Sequence, residues 1–101
     1  MIGRVEKEVE MMERHLEVLA RVRENEPIGI VKLAERTGYP NHKVRYSLRV
    51  LEEESVIEPT EQGAVTTEHA EEFIVEFNDR IDDVVDALAV MRADGAEVPE
   101  Q

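Results

Sequence analysis

The chain has 101 residues, no cysteine and a formal net charge of −12, with 24 acidic residues against 12 basic ones. That length suits one small core, and the missing thiols exclude disulfides, thiolate metal sites and a cysteine nucleophile. Apolar content of 42% beside 36% charged residues fits a folded helical protein, and no apolar run approaches the roughly 20 residues that span a bilayer.

In chain order, Ile2, Val5, Val9, Met12, Leu16 and Leu19 recur at alternating steps of three and four, the heptad spacing of a helix that faces a partner helix. Asn25-Glu26-Pro27 ends this first helix, because the residue before proline avoids helical angles. Ile28-Gly29-Ile30 reads as a short extended piece. Val31 to Thr37 forms a short helix with Val31, Leu33 and Ala34 available for packing, and Gly38 stands where a left-handed cap is expected. After the turn at Tyr39-Pro40, Asn41 suits the N-cap of a third helix, whose Val44, Leu48 and Leu51 define a buried face as far as about Glu54.

Two β-prone runs then flank Glu61-Gln62-Gly63, so 56–67 reads as a small hairpin with glycine at the turn. Over 68–92 the helical period returns in Ala70, Ile74, Phe77, Ile81, Val84, Leu88 and Met91, with Glu68, Glu71 and Glu72 in the first turn. Residues 93–101 have no period and read as a flexible acidic tail. The expected fold is mainly α with a small β-hairpin, one domain over 1–92.

Between Pro27 and Leu51 the balance of charge reverses. Lys32, Arg36, Lys43, Arg45 and Arg49 face one acid, Glu35, which leaves seven cations and twenty-three anions elsewhere. The chain as a whole repels a polyanion, and this segment attracts one. The acidic excess, with nine arginines and three lysines, suits a salt-adapted cell, since at 1 M salt the Debye length shrinks to about 3 Å and self-repulsion is screened. Met1-Ile2-Gly3-Arg4 lacks the apolar core of a secretory signal, so the expected compartment is the cytoplasm.

The order helix, extended piece, helix, helix, hairpin, helix is that of a winged helix-turn-helix. Leu33-Ala34-Glu35-Arg36-Thr37-Gly38, an apolar position at Val44, Leu48-Arg49-Val50-Leu51, the charged run Glu52-Glu53-Glu54 and Val56-Ile57 together resemble the core of small archaeal winged-helix transcriptional regulators. The match spans roughly Leu16 to Thr67. The long flanking helices are similar in arrangement to the dimerising ends of MarR and PadR regulators, and the charge balance adds a halophilic source to this expectation. The resemblance implies double-stranded DNA as partner, with helix-turn-helix 31–54, recognition helix 41–54 and wing 56–67.

Helical geometry locates the implied contacts. With Val44, Leu48 and Leu51 inward, His42, Tyr46 and Arg49 point nearly the opposite way and Arg45 lies on the flank. Arg45 and Arg49 are candidates for guanine or phosphate contact, Asn41, His42 and Tyr46 for the groove, and Lys32, Arg36 and Lys43 for the phosphate backbone. The hairpin lacks a cation and carries Glu58 and Glu61, which a minor groove would repel. A winged-helix protein-interaction module without direct DNA binding therefore stays open as the alternative.

The heptad stripes form the expected homodimer interface, with Val5, Val9, Met12 and Leu16 on the first helix and Ile74, Phe77, Ile81, Val84, Leu88 and Met91 on the last. Packing of the first helix on the last within one chain is the competing arrangement. A two-fold dimer would match an inverted-repeat operator. Catalysis, a cofactor and a metal are not expected. His15, His42 and His69 lie far apart in sequence, His15 and His69 are expected to be exposed, and no phosphate loop or ligand spacing occurs.

Overall fold

The computed structural model describes residues 1–97, and the side chains as far as Arg92. Its elements are α1 (Ile2–Asn25), α2 (Ile30–Thr37), α3 (Asn41–Glu53), β1 (Ile57–Thr60), β2 (Gly63–Thr66) and α4 (Ala70–Glu97), so the chain is mainly helical with one antiparallel hairpin. Among the described residues no helix is long and apolar enough to cross a membrane.

The chain divides into two compact units, Met1–Ala70 and the remainder from Glu71. In the first, α1, α2 and α3 pack on one another, with β2 against α1 and β1 against α3. The core is Val18, Leu19 and Val22 of α1, Ile28, Leu33 of α2, Val44, Leu48 and Leu51 of α3, then Val56, Ile57, Ala64 and Ala70. Burying a dozen such side chains provides the main drive for folding, since each full-sized aliphatic contributes about 1.5–3 kcal/mol.

Only the C-terminal half of α1 takes part. A helix of 24 residues is about 36 Å long, more than the small unit beside it can cover, and its first nine residues are exposed. Of the expected α1 stripe, Leu19 alone enters the core, joined by Val18 and Val22, which the heptad spacing did not select. On α2 the helix begins one residue early, at Ile30. Leu33 is buried, while Val31 lies about 160° away around the helix and is 64% exposed, so it stays outside the core, contrary to expectation.

The turns follow local chemistry. Glu26, before Pro27, has the extended angles φ −59° and ψ 141° and stops α1. Gly38 caps α2 at φ 83°, its N–H donating to the Ala34 carbonyl. Asn41 is not the N-cap of α3. Pro40 holds that place in extended geometry, its carbonyl accepting from the Lys43 and Val44 N–H groups, and Asn41 becomes the first helical residue with no capping bond. At the far end of α3, Ser55 takes φ 64°, and the Ser55 and Val56 N–H groups donate to the Glu52 and Leu51 carbonyls, a Schellman closure built on serine rather than glycine.

The hairpin has a two-residue connection, Glu61 and Gln62, between the partners Thr60 and Gly63. Its outer edge is tied to the α1–α2 linker. Ile28 and Ala64 exchange both backbone hydrogen bonds, at 3.2 and 2.8 Å, and the Glu26 carboxylate accepts from the Thr66 N–H at 2.7 Å and from its hydroxyl. The extended piece expected at Ile28 is thus a bridge to β2.

The described residues of the second unit, from Glu71, belong to α4. This helix continues five residues past Arg92, where the heptad period stops, because Ala93 to Glu97 contain no proline to interrupt a helix already formed. The rest of the expected tail, 98–101, lies outside the described residues.

Candidate nucleic-acid interface

α3 is fastened along one side and open along the other. Val44, Ser47, Leu48 and Leu51 are buried, and Asn41, His42, Lys43, Arg45, Tyr46 and Arg49 are exposed. On an ideal helix the buried set centres about 180° from the midpoint of His42, Arg49 and Glu53, with Arg45 and Tyr46 on the two flanks. Its outward surface therefore carries three cations, Lys43, Arg45 and Arg49, beside an imidazole and a phenol, and turns acidic at Glu52 and Glu53.

Those cations are not consumed internally. Arg21 bridges Glu17 and Glu24 at 3.8 and 3.3 Å, whereas Lys32, Lys43, Arg45 and Arg49 form no hydrogen bond or ion pair among the described residues. In a chain with 24 acidic residues this is the less expected outcome, since surface arginines often pair with nearby carboxylates. Arg36 differs. Its Nη1 donates to Asn25 Oδ1 at 2.6 Å, and Asn25 in turn donates to the Arg21 carbonyl, so Arg36 holds the end of α1 to α2 although it stays exposed.

The anchorage of α3 to α1 includes a polar contact that periodicity did not reveal. Ser47 is fully buried, at the helical phase of the apolar residues around it. Arg14 Nε–H donates to Ser47 Oγ at 3.1 Å, and Ser47 Oγ lies 2.7 Å from His15 Nδ1. Both distances are satisfied when the serine hydroxyl donates to a neutral imidazole protonated at Nε2. The His15 ring also packs on Tyr46, with centroids 5.8 Å apart at 47°. His15 is therefore half-buried and bonded rather than exposed as expected, and Tyr46, still 43% exposed, is steadied from the α1 side. A serine at the helical phase of Val44, Leu48 and Leu51 is the signal by which the sequence could have pointed to this contact.

Burial, then the Arg14 cation, lowers the His15 pKa, while Glu8 opposes the shift. Protonation removes the Nδ1 acceptor and sets a second cation beside Arg14. A histidine whose folded pKa lies below its unfolded value leaves stability intact above the unfolded pKa, about 6.5, and lost as pH falls through the folded one. Thermal melts are expected to fall progressively below pH 6.5 in the native protein and to lose that component in His15→Gln. Parallel profiles for the two proteins would assign the acid sensitivity elsewhere.

Tyr39, in the α2–α3 turn, has its hydroxyl 3.5 Å from Glu17 Oε1, and burial followed by the Glu17 and Glu13 carboxylates raises its pKa. Beyond α3 the surface changes sign. An open groove of about 600 Å³ beside the hairpin is lined by Glu52, Glu58, Glu68 and His69 together with Ser55 and Thr67, a poor seat for phosphate. Among the described residues no group of three or more His, Asp or Glu side chains is placed to hold a metal ion.

The stripe residues divide by position. Val5 and Val9 on α1 are 40 and 42% exposed, with Met12 and Leu16 half-buried. On α4, Ile74, Phe77 and Ile81 are half-buried and Val84, Leu88 and Met91 exposed, with the Phe73 and Phe77 rings stacked at 6.0 Å. No protein-family model matches the chain, and no curated protein shows significant similarity to it.

Proposed function

We propose that this protein is a winged helix-turn-helix transcriptional regulator that binds double-stranded DNA as a homodimer and has no enzymatic activity. α3 is its recognition helix and 56–67 its wing. The observation that carries this reading is the outward face of α3, where Arg45 and Arg49 are exposed and unpaired among the described residues, on a helix fastened through its opposite side. A rigidly seated helix with free guanidinium groups is what major-groove readout needs, since arginine forms paired hydrogen bonds to guanine O6 and N7. Lys32 and Lys43, exposed and without a partner among the described residues, suit phosphate, and Asn41, relieved of capping, is available to a base edge.

The exposed stripes of α1 and α4 support the homodimer, which would present two recognition helices about 34 Å apart to an inverted repeat. The acidic remainder of the surface suits the salt-rich cytoplasm of a halophilic archaeon. There counterion release contributes less, and direct contacts carry more of the affinity.

A second reading, a winged-helix protein-interaction module, is favoured by the hairpin, whose exposed Glu58 and Glu61 would keep it off DNA. Selection separates the two. Purified protein is mixed with fragmented genomic DNA from its own source at near-native salt, and the bound fraction is sequenced. A shared inverted repeat is the expected result, and no enrichment by folded protein would transfer the assignment to protein binding.

A further inference from the structure

The homodimer just proposed can place a second copy on α4 in either direction, and the residues of α4 discriminate between them. We infer that α4 pairs with α4 of a second copy in antiparallel orientation, Ile74 facing the partner's Met91, Phe77 the partner's Leu88 and Ile81 the partner's Val84. This inference rests on the homodimer reading.

From Glu71 the chain forms a unit of its own, and toward the C-terminal end of the α4 stripe Val84, Leu88 and Met91 are 51, 41 and 61% exposed. The heptad puts Ile74, Ile81 and Leu88 at one seam position and Phe77, Val84 and Met91 at the other. In a parallel pair each layer is made by a residue and its own copy, so a Phe77 layer with two rings is followed within two turns by a Val84 layer with two of the smallest side chains in the seam. Antiparallel pairing mixes the positions. The large Phe77 meets a leucine, and the small Val84 meets an isoleucine, which fills successive layers more evenly, as close packing requires.

Charge points the same way. Glu71 and Arg92 are three heptads apart and lie along one flank of the seam. Antiparallel chains bring Glu71 beside the partner's Arg92 at both ends of the pair. Parallel chains put Glu71 and Glu72 level with their own copies and leave Arg92 nearest an alanine. Opposed helix dipoles add a smaller contribution in the same sense.

The absence of native cysteine makes the orientation directly measurable. Residues 74 and 91 of one helix are about 25 Å apart, far beyond disulfide reach, so a bond between them must join two chains. Ile74→Cys and Met91→Cys proteins are mixed, allowed to exchange and oxidised. A disulfide-linked heterodimer is expected as the dominant product, with little dimer from Ile74→Cys alone. Efficient self-linkage of Ile74→Cys would overturn the orientation while leaving the homodimer standing. A sedimentation mass of one chain would instead remove the homodimer, and a dimeric mass with neither bond would seat the second copy away from α4. Glu71→Cys with Arg92→Cys repeats the test at exposed flank positions that do not alter the seam, so a failure of the first pair to fold leaves the question decidable.

Discussion

Alanine at both Arg45 and Arg49 is expected to reduce affinity for the selected operator at least a hundredfold, to the level of unrelated DNA. A good bidentate arginine contact discriminates by about 1–3 kcal/mol. Two in each protomer of a symmetric dimer amount to about 4–12 kcal/mol, as large as the whole gap of about 4–10 kcal/mol between specific and non-specific binding. Both side chains are exposed and neither has a hydrogen bond or ion pair among the described residues, so the variant should melt within a few degrees of the native protein. Anisotropy titrations on operator and scrambled duplexes, with a thermal melt beside them, measure both quantities. Lys32→Ala is the contrasting case. If it holds phosphate, it weakens operator and scrambled DNA alike and lowers the slope of log K against log salt by about 1 per protomer. Native affinity in the double variant would mean that DNA, if bound, lies on another face.

The elements most legible in the sequence are those fixed by local chemistry. Gly38 and Gly63 adopt the positive φ values that their neighbours suggest, and the period of Val44, Leu48 and Leu51 names the buried side of α3 correctly. The period of α1 is equally clear but less informative. It says which residues share a face, while the small unit covers only the last turns of the helix, and there Val18 and Val22 turn inward beside Leu19. The Pro40 cap escaped because asparagine is the better cap by preference, whereas the proline carbonyl is already placed to accept the first helical bond.

The candidate surface divides along the same line. That His42, Arg45 and Arg49 face outward follows from helical geometry alone. That Arg36 is tied to Asn25, and that Tyr46 rests on His15, depends on where α1 lies across α2 and α3, a relation between segments 11 to 31 residues apart in sequence. The Arg14–Ser47–His15 contact is of this second kind. It gives the outward face of α3 its fixed backing, because the single polar residue in the helix's buried row is bonded from α1 by both Arg14 and His15.

Gly63→Ala should be the most disruptive substitution of its size in the first unit, and the reason lies in the tie between the hairpin and the α1–α2 linker. At φ 132° glycine is strongly preferred, and a Cβ at position 63 would stand 2.5 Å from the Ile28 carbonyl carbon, 2.6 Å from its oxygen and 2.7 Å from its nitrogen. Backbone cannot rotate away as a side chain end could, so relief requires parting the Ile28–Ala64 bridge. Backbone strain contributes about 1–3 kcal/mol, overpacking a similar amount, and the two bridge hydrogen bonds about 0.5–1.5 kcal/mol each. A loss of at least about 3 kcal/mol is expected, on the order of 15 °C or more in melting temperature. Two glycines calibrate it. Gly38 has φ 83° but open space around it, so Gly38→Ala carries conformational strain alone, about 1–2 kcal/mol. Gly29, at φ −96° with nothing within 4 Å, should accept alanine within about 0.5 kcal/mol, a stiffer unfolded chain offsetting a poorer cap. Melting temperatures in the order Gly29→Ala, Gly38→Ala, Gly63→Ala, highest first, would establish steric contact with Ile28 as the dominant effect. Equal losses at 38 and 63 would reduce the role of Gly63 to its φ angle and leave the hairpin free of the linker.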